Sequence, residues 1–160
     1  MGGRQPVGTA ASAGTVTGMT LSLDDAFSFI GQHTQGVLVT LRGDGRPQLS
    51  NILYLSGPDH TARISVTDNR AKTTNLRRDP RGSLHVTSQD FWSYVVLDGT
   101  VHLSPVAAAP DDGVVQELVA MYRLAQGEHP DWDEFRRAMV AQGRIVATLT
   151  ATGAYGQVQG

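Results

Sequence analysis

Cysteine is absent from this 160-residue chain, which excludes a disulfide framework, a thiol nucleophile and any Cys-ligated metal site. Lysine is almost absent: Lys72 is the single one. Aromatic residues make up only 6% of the chain. No apolar run approaches the ~18 residues of a helical membrane span. Basic and acidic residues nearly balance, 13 against 15, which argues against a bulk nucleic-acid binder. The five histidines, His33, His60, His85, His102 and His129, are scattered with no i, i+4 pair, so no metal site is expected. His33 reads as a helix-end residue. His85 and His102 fall in different expected strands, where neighbouring is conceivable but ordinary sheet positions suffice. There is no G-x-G-x-x-G turn for a dinucleotide and no G-x-S-x-G nucleophile elbow.

What is present is globular: 40% hydrophobic and 18% charged residues, enough for one domain with a real core. Residues 1–20 are mostly small and polar and read as a disordered tail, leaving a single domain at 21–160. The tail lacks the 7–15-residue apolar core of a secretory signal, so a cytoplasmic location is expected.

Periodicity places the elements. Ser22 and Asp25 suit a helix start, and Leu23, Ala26, Phe27 and Ile30 recur at helical spacing. Strands are expected at 36–42, 47–56 and 61–67, joined by turns at Gly43-Asp44-Gly45 and Gly57-Pro58-Asp59-His60, as a β-meander. A short helix follows from Ala71 and ends before Pro80, which lacks a backbone N–H. Strands are expected at 82–88 and 93–104, the latter with a bulge at Asp98-Gly99, and an aromatic loop, Gln89-Asp90-Phe91-Trp92, between them. Helices are expected at 111–125 and 132–141, then a strand at 144–150 that 153–158 extends. About six antiparallel strands with few long crossovers imply a mainly β (α+β) fold with flanking helices, a barrel rather than a doubly wound parallel sheet.

The charge is uneven. Six of the 13 basic residues lie between Arg63 and Arg81, against two acids, Asp68 and Asp79. That local excess suggests an anion site, although charge runs are commonly just solvated. The helix start near Arg70 to Thr73 exposes unpaired N–H groups, which with Lys72 and the hydroxyls of Thr73 and Thr74 favour a phosphate or carboxylate. Gln48 and Ser50 alternate on one face of the second strand, with Asn51 on the other. Polar strand residues, a basic helix start and a nearby Trp suit a planar heteroaromatic ligand with a phosphate. A polar edge strand, with Trp92 and Tyr94 in the core, fits the same residues.

The segments Gly45-Arg-Pro-Gln-Leu-Ser-Asn51, Arg70-Ala-Lys-Thr-Thr-Asn-Leu-Arg-Arg-Asp-Pro-Arg81, Trp92-Ser-Tyr94, Asp98-Gly-Thr100, Ala108-Ala-Pro-Asp-Asp112, Gly127-Glu-His-Pro-Asp-Trp132 and Tyr155-Gly156, in this order, resemble the pyridoxamine-5′-phosphate-oxidase-like flavin/deazaflavin oxidoreductases. More narrowly the chain is similar to the actinobacterial coenzyme F420-dependent branch, over about Leu21 to Gly156. The resemblance implies a six-stranded antiparallel split β-barrel of the FMN-binding type. It also implies a homodimer with two cofactor sites at the interface. Arg70 and Lys72 would hold the cofactor phosphate, helped by Thr73 and the Ala71 backbone, with Asn75 bracing the loop. Gln48 and Ser50 would border the ring and polyol chain. Ser65 and Val66 would line the same groove, and Trp92 and Tyr94 would wall it, from either subunit. Arg77, Arg78 or Arg81 would favour the oligoglutamate tail of the deazaflavin. Pyridoxal-phosphate-binding residues near the C-terminus are unmatched, which disfavours a vitamin B6 oxidase. The implied activity is hydride transfer from reduced deazaflavin C5 to an electron-poor C=C or C=N of a small organic substrate. No acid is obligatory; Tyr54, Tyr94 or water would protonate the product. An FMN-dependent oxidoreductase, or a non-enzymatic flavin, deazaflavin or heme binder, is the alternative on the same fold.

Overall fold

The computed structural model of the protein describes residues 19–160. The tail expected at 1–20 therefore lies outside the described residues except for its last two. Of these, Thr20 already belongs to the fold: β1 (Thr20–Leu21) pairs with the last strand through Thr20 and Tyr155. The chain continues as α1 (Leu23–Ile30), β2 (Gln35–Leu41), β3 (Pro47–Leu53), β4 (Leu55–Gly57), β5 (Thr61–Thr67), α2 (Ala71–Arg78), β6 (Arg81–Thr87), β7 (Tyr94–Leu103), α3 (Gly113–Gln126), α4 (Trp132–Ala141) and β8 (Arg144–Gln157). No helix among the described residues is long and apolar enough to cross a membrane.

Capping explains three of the four helix starts. The side chains of Ser22, Asp112 and Asp131 accept from Asp25 N, Val115 N and Glu134 N. Asp112 also accepts from the backbone N–H of Ala108 and Ala109, and these bonds hold its carboxyl below the ordinary carboxylate range. The α2 start is different. Arg70 occupies the capping position and supplies no acceptor.

The eight strands form one antiparallel sheet in the order β3-β2-β6-β7-β8-β5-β4, with β1 beside β8. Its two ends, β3 and β4, are consecutive in sequence, so the sheet curls back on itself as a split barrel. The junction is Tyr54, which divides the strand expected at 47–56. Its N–H donates to the Thr34 carbonyl at 2.9 Å and its buried hydroxyl to the Ile30 carbonyl at 2.6 Å. The chain changes partner there, from β2 to β5. The expected three-strand meander is thus broken, because β3 and β5 stand at opposite ends of the curl. The count of eight against six comes from this division and from β1. The segments at 144–150 and 153–158 are one strand.

Alternation along the strands feeds two cores. Ile64 and Val66 of β5 and Ile145 and Ala147 of β8 point into the barrel with Leu38, Leu84 and Leu97. Val146 points the opposite way, into a second cluster with Val115, Leu118 and Met139 beneath the α3–α4 hairpin. The bulge expected at Asp98-Gly99 is present. A Cβ at Gly99 would stand 2.1 Å from the Thr150 carbonyl oxygen, so only glycine permits that approach.

Candidate functional site

The outer face of β5 carries Arg63, Ser65 and Thr67, the residues that alternate with its core positions. Their partners on β8 are Thr148, Val146 and Arg144. The α3–α4 hairpin covers Val146 but leaves the rest of that face open. A cleft of about 530 Å³ results, between the β5 face, the Tyr54 corner and the hairpin. Leu118, Met121, Tyr122 and Phe135 form its apolar wall, and Lys72 and Arg144 close one end. That size suits a small-molecule ligand.

The closed end is assembled by backbone and hydroxyl contacts around Thr67. Its carbonyl accepts from the buried Thr73 hydroxyl at 2.7 Å, and its own hydroxyl accepts from Arg70 Nε at 3.2 Å. Asp68 N donates to the Gly143 carbonyl at 2.9 Å, which fastens the segment before α2 to the start of β8. Arg70, Lys72 and Arg144 are thereby brought near one another. Burial and the charges of Arg70 and Arg144 lower the Lys72 ammonium from its ordinary value. Burial and Arg70 lower Arg144. Among the described residues, none of the three has a carboxylate within salt-bridge distance; the ion pairs are formed by His60, Arg63, Arg77, Arg81 and Arg123. Three cations therefore repel one another beside an uncapped helix start, an arrangement complementary to a multiply charged oxyanion.

The residues singled out from sequence divide by place. Ser65 and Lys72 line the cleft, and Arg70 and Ala71 stand at its cationic end. Thr73 and Asn75 are buried braces. The Asn75 amide donates to the Thr40 hydroxyl at 3.1 Å and pins α2 to β2. Val66 does not line the groove with its side chain: it alternates with Ser65 and points into the barrel core. Gln48 and Ser50 border no cleft described here, and Gln48 accepts from Arg42 Nε at 3.2 Å. Asn51, on the opposite face of β3, borders the cleft instead. Arg77, Arg78 and Arg81 are engaged internally, with Asp68, the Leu41 carbonyl and Asp79 respectively. Tyr54 is no proton donor, since burial raises its pKa and its hydroxyl is committed to Ile30. His85 and His102 face Val96 and Thr148, not each other, and no metal-ligand cluster occurs among the described residues.

Trp92 and Tyr94 lie away from this cleft. A second groove of about 590 Å³ runs past Asn51, Leu53 and His85 and is bordered by Phe91 of the loop that precedes Tyr94. Tyr94 packs against His85 with ring centroids 5.8 Å apart. The loop before it is well braced: Asp90 accepts from the Ser88 hydroxyl at 2.6 Å and from Trp92 N at 3.1 Å. It presents Phe91 and Trp92, 82% and 69% exposed, with Phe91 held at φ 72°.

Arg63, Arg144 and Tyr122 were not singled out from sequence. Arg144 is recognisable only through the pairing of Thr67 with Arg144, a register the sequence does not display. Tyr122 and Phe135 fall within the helices expected at 111–125 and 132–141, and only the packing of the hairpin brings both to the cleft.

A curled antiparallel barrel thus carries on its outer face a cation cluster complementary to a phosphate. The pyridoxamine 5′-phosphate oxidase family model matches residues 23–155, and the chain belongs to that family of flavin-type oxidoreductases and binding proteins. Solved structures share the fold. An F420 reductase is 21% identical, with a TM-score of 0.59 over 80% of this chain and 94% of that one. A conserved hypothetical protein from Mycobacterium tuberculosis is 19% identical, with a TM-score of 0.64 over 95% and 98%. The heme storage protein HutZ from Vibrio cholerae is 14% identical, with a TM-score of 0.61 over 84% and 94%.

Proposed function

We propose that the protein is a coenzyme F420-dependent reductase whose cofactor phosphate is held by Arg70, Lys72 and Arg144 at the closed end of the cleft. The single observation behind this is the trio of mutually repelling cations without a carboxylate partner, set beside an uncapped helix start. When bound, the reduced deazaflavin supplies a hydride, and the acceptor C=C or C=N gains that hydride and one proton from water. The chain's own work is positional. Lys72 and the α2 N–H groups fix the phosphate, Ser65 offers a hydroxyl along the β5 floor, and the Tyr122–Phe135 wall packs against the acceptor and orients it. Thr73 and Asn75 act through position, holding α2 to β5 and β2.

FMN is the second reading. The internal engagement of Arg77, Arg78 and Arg81 leaves the expected oligoglutamate contacts without free cations there, and FMN needs only the phosphate clamp. Separate titrations of the purified protein with coenzyme F420, FMN and hemin, followed by fluorescence and absorbance, test the assignment. Saturable F420 binding is expected. Tight FMN or hemin binding with no F420 binding would overturn it.

The second groove supports a homodimer. Leu49 and Leu53 are 59% and 62% exposed on edge strand β3, and Leu53 borders the same groove as Phe91, so exposed apolar side chains of both elements are there for a second copy to cover. A second copy covering that face would bring Trp92 and Tyr94 to an interface. Leu53→Asp should convert a dimer to monomer in sedimentation velocity; a monomeric native protein would refute the dimer.

A further inference from the structure

Arg63 differs from the arginines that flank it in the fold. Its side chain is only 24% exposed and it lines the cleft, yet it makes no hydrogen bond to any described residue. Its one ion-pair partner among the described residues is Glu117 of α3, with 3.5 Å between Nη1 and Oε1, a loose single-point contact. By contrast Arg42, Arg77, Arg78, Arg81, Arg123 and Arg144 all donate hydrogen bonds. A guanidinium carries five donors, and those of Arg63 are open to the cleft, where an acceptor on a ligand would meet them.

Place narrows the chemistry. Arg63 and Thr67 are four residues apart on one face of β5, roughly 13 Å at the usual rise of a strand. Arg63 therefore stands well away from the cation cluster around Lys72. Between the two ends the lining is Ser65 on the strand floor and the apolar Met121, Tyr122 and Phe135 on the helical side. The Tyr122 and Phe135 rings meet edge-on, 5.1 Å between centroids, and that packing fixes the wall. A ligand satisfying this half of the cleft is flat and mostly apolar, with one anionic group at its far end.

We propose that Arg63 is a specificity residue that binds the carboxylate of the substrate, and that the substrate is an unsaturated, largely apolar carboxylic acid, with Glu117 holding the guanidinium in place until the acid displaces it. The assignment rests on the cleft being the cofactor site described above, with Lys72 marking the opposite, phosphate end. The guanidinium forms a charge-assisted, two-point contact with the carboxylate, which Lys in its place would reproduce only in part.

The test measures binding to the apo protein, so it does not depend on turnover. 2-Naphthoate and its uncharged analogue 2-naphthamide are titrated separately, by fluorescence, with inorganic phosphate present to occupy the Lys72 end. The native protein should prefer the acid by about tenfold, the scale of a charge-assisted hydrogen bond. Arg63→Gln should abolish that preference by weakening naphthoate alone, Arg63→Lys should restore part of it, and Glu117→Gln should strengthen naphthoate severalfold. Equal affinity of the native protein for the two probes would overturn the proposal. So would undetectable naphthoate binding, or a preference that survives in Arg63→Gln. Lys72→Ala should leave the naphthoate preference intact while weakening cofactor binding. Failure of the Arg63 arm with a normal Lys72 effect would condemn only the carboxylate subsite. An unchanged cofactor affinity in Lys72→Ala would condemn the phosphate clamp itself.

Discussion

Lys72→Ala separates binding from stability in a way that few substitutions can. Lys72 lies at the closed end of the cleft, half-buried, with Arg70 and Arg144 both adding to its cost as a cation. In the free protein its ammonium is therefore held against burial and like charge, and the opposite charge of a phosphate offsets both. A hydrogen bond to a charged group contributes about 1.5–3 kcal/mol, so removing it should weaken cofactor binding by roughly 10- to 150-fold. Arg70 is exposed, where solvent screens the interaction, and Arg70→Ala should weaken binding less. The apo protein should behave in the opposite sense: deleting a repelled cation should leave the thermal midpoint unchanged or raise it. The pH dependence has a defined sign. The folded pKa of Lys72 lies below its unfolded value, so the unfolded chain binds more protons in the interval between them, and apo stability should rise as pH increases through that alkaline window. Cofactor affinity should fall in the same window, at lower pH than an ordinary lysine would impose. Titration calorimetry and thermal melts on one preparation measure both. A cofactor affinity unchanged in Lys72→Ala, with circular dichroism showing an intact fold, would refute the reasoning.

Other perturbations probe the frame that holds the cleft. Tyr54→Phe removes the donor to the Ile30 carbonyl at the corner where the chain changes strand partner, and should cost about 1–3 kcal/mol, read as a lower midpoint in chemical denaturation. Asp112→Ala removes the α3 cap and should cost about 1 kcal/mol by the same measurement. Since the folded Asp112 carboxyl titrates below its unfolded range, its contribution is present above that range and is lost as pH falls through the folded value; the variant should show a flatter acid limb. Gly99→Ala would drive a methyl into the Thr150 carbonyl, and should yield little soluble protein.

Local pattern carried much of the fold. The alternation of Ala62, Ile64 and Val66, the capping residues Ser22 and Asp112, and Pro80 after α2 all act within a few residues, where side-chain sterics and local hydrogen bonds decide conformation. The division at Tyr54 was not legible, because a continuous β-prone run says nothing of a change of partner. The site was legible in proportion to its locality. Arg70 and Lys72 stand two residues apart at the start of α2, so charge clustering points to them, whereas the uncharged Ser65 came only through the family resemblance. Val66, one position from Ser65, went to the core because a strand turns successive side chains to opposite faces.

By itself, then, the amino-acid order determined an antiparallel barrel with flanking helices, a lone lysine in a basic segment, and a chain without cysteine. Tertiary structure alone decided what the basic segment faces. Arg144 reaches Lys72 because β8 pairs with β5 in one register, and Arg63 faces an apolar wall because the α3–α4 hairpin packs on Val146 more than 80 residues further along the chain. Such contacts depend on the register and packing of distant segments, which no short window of sequence contains.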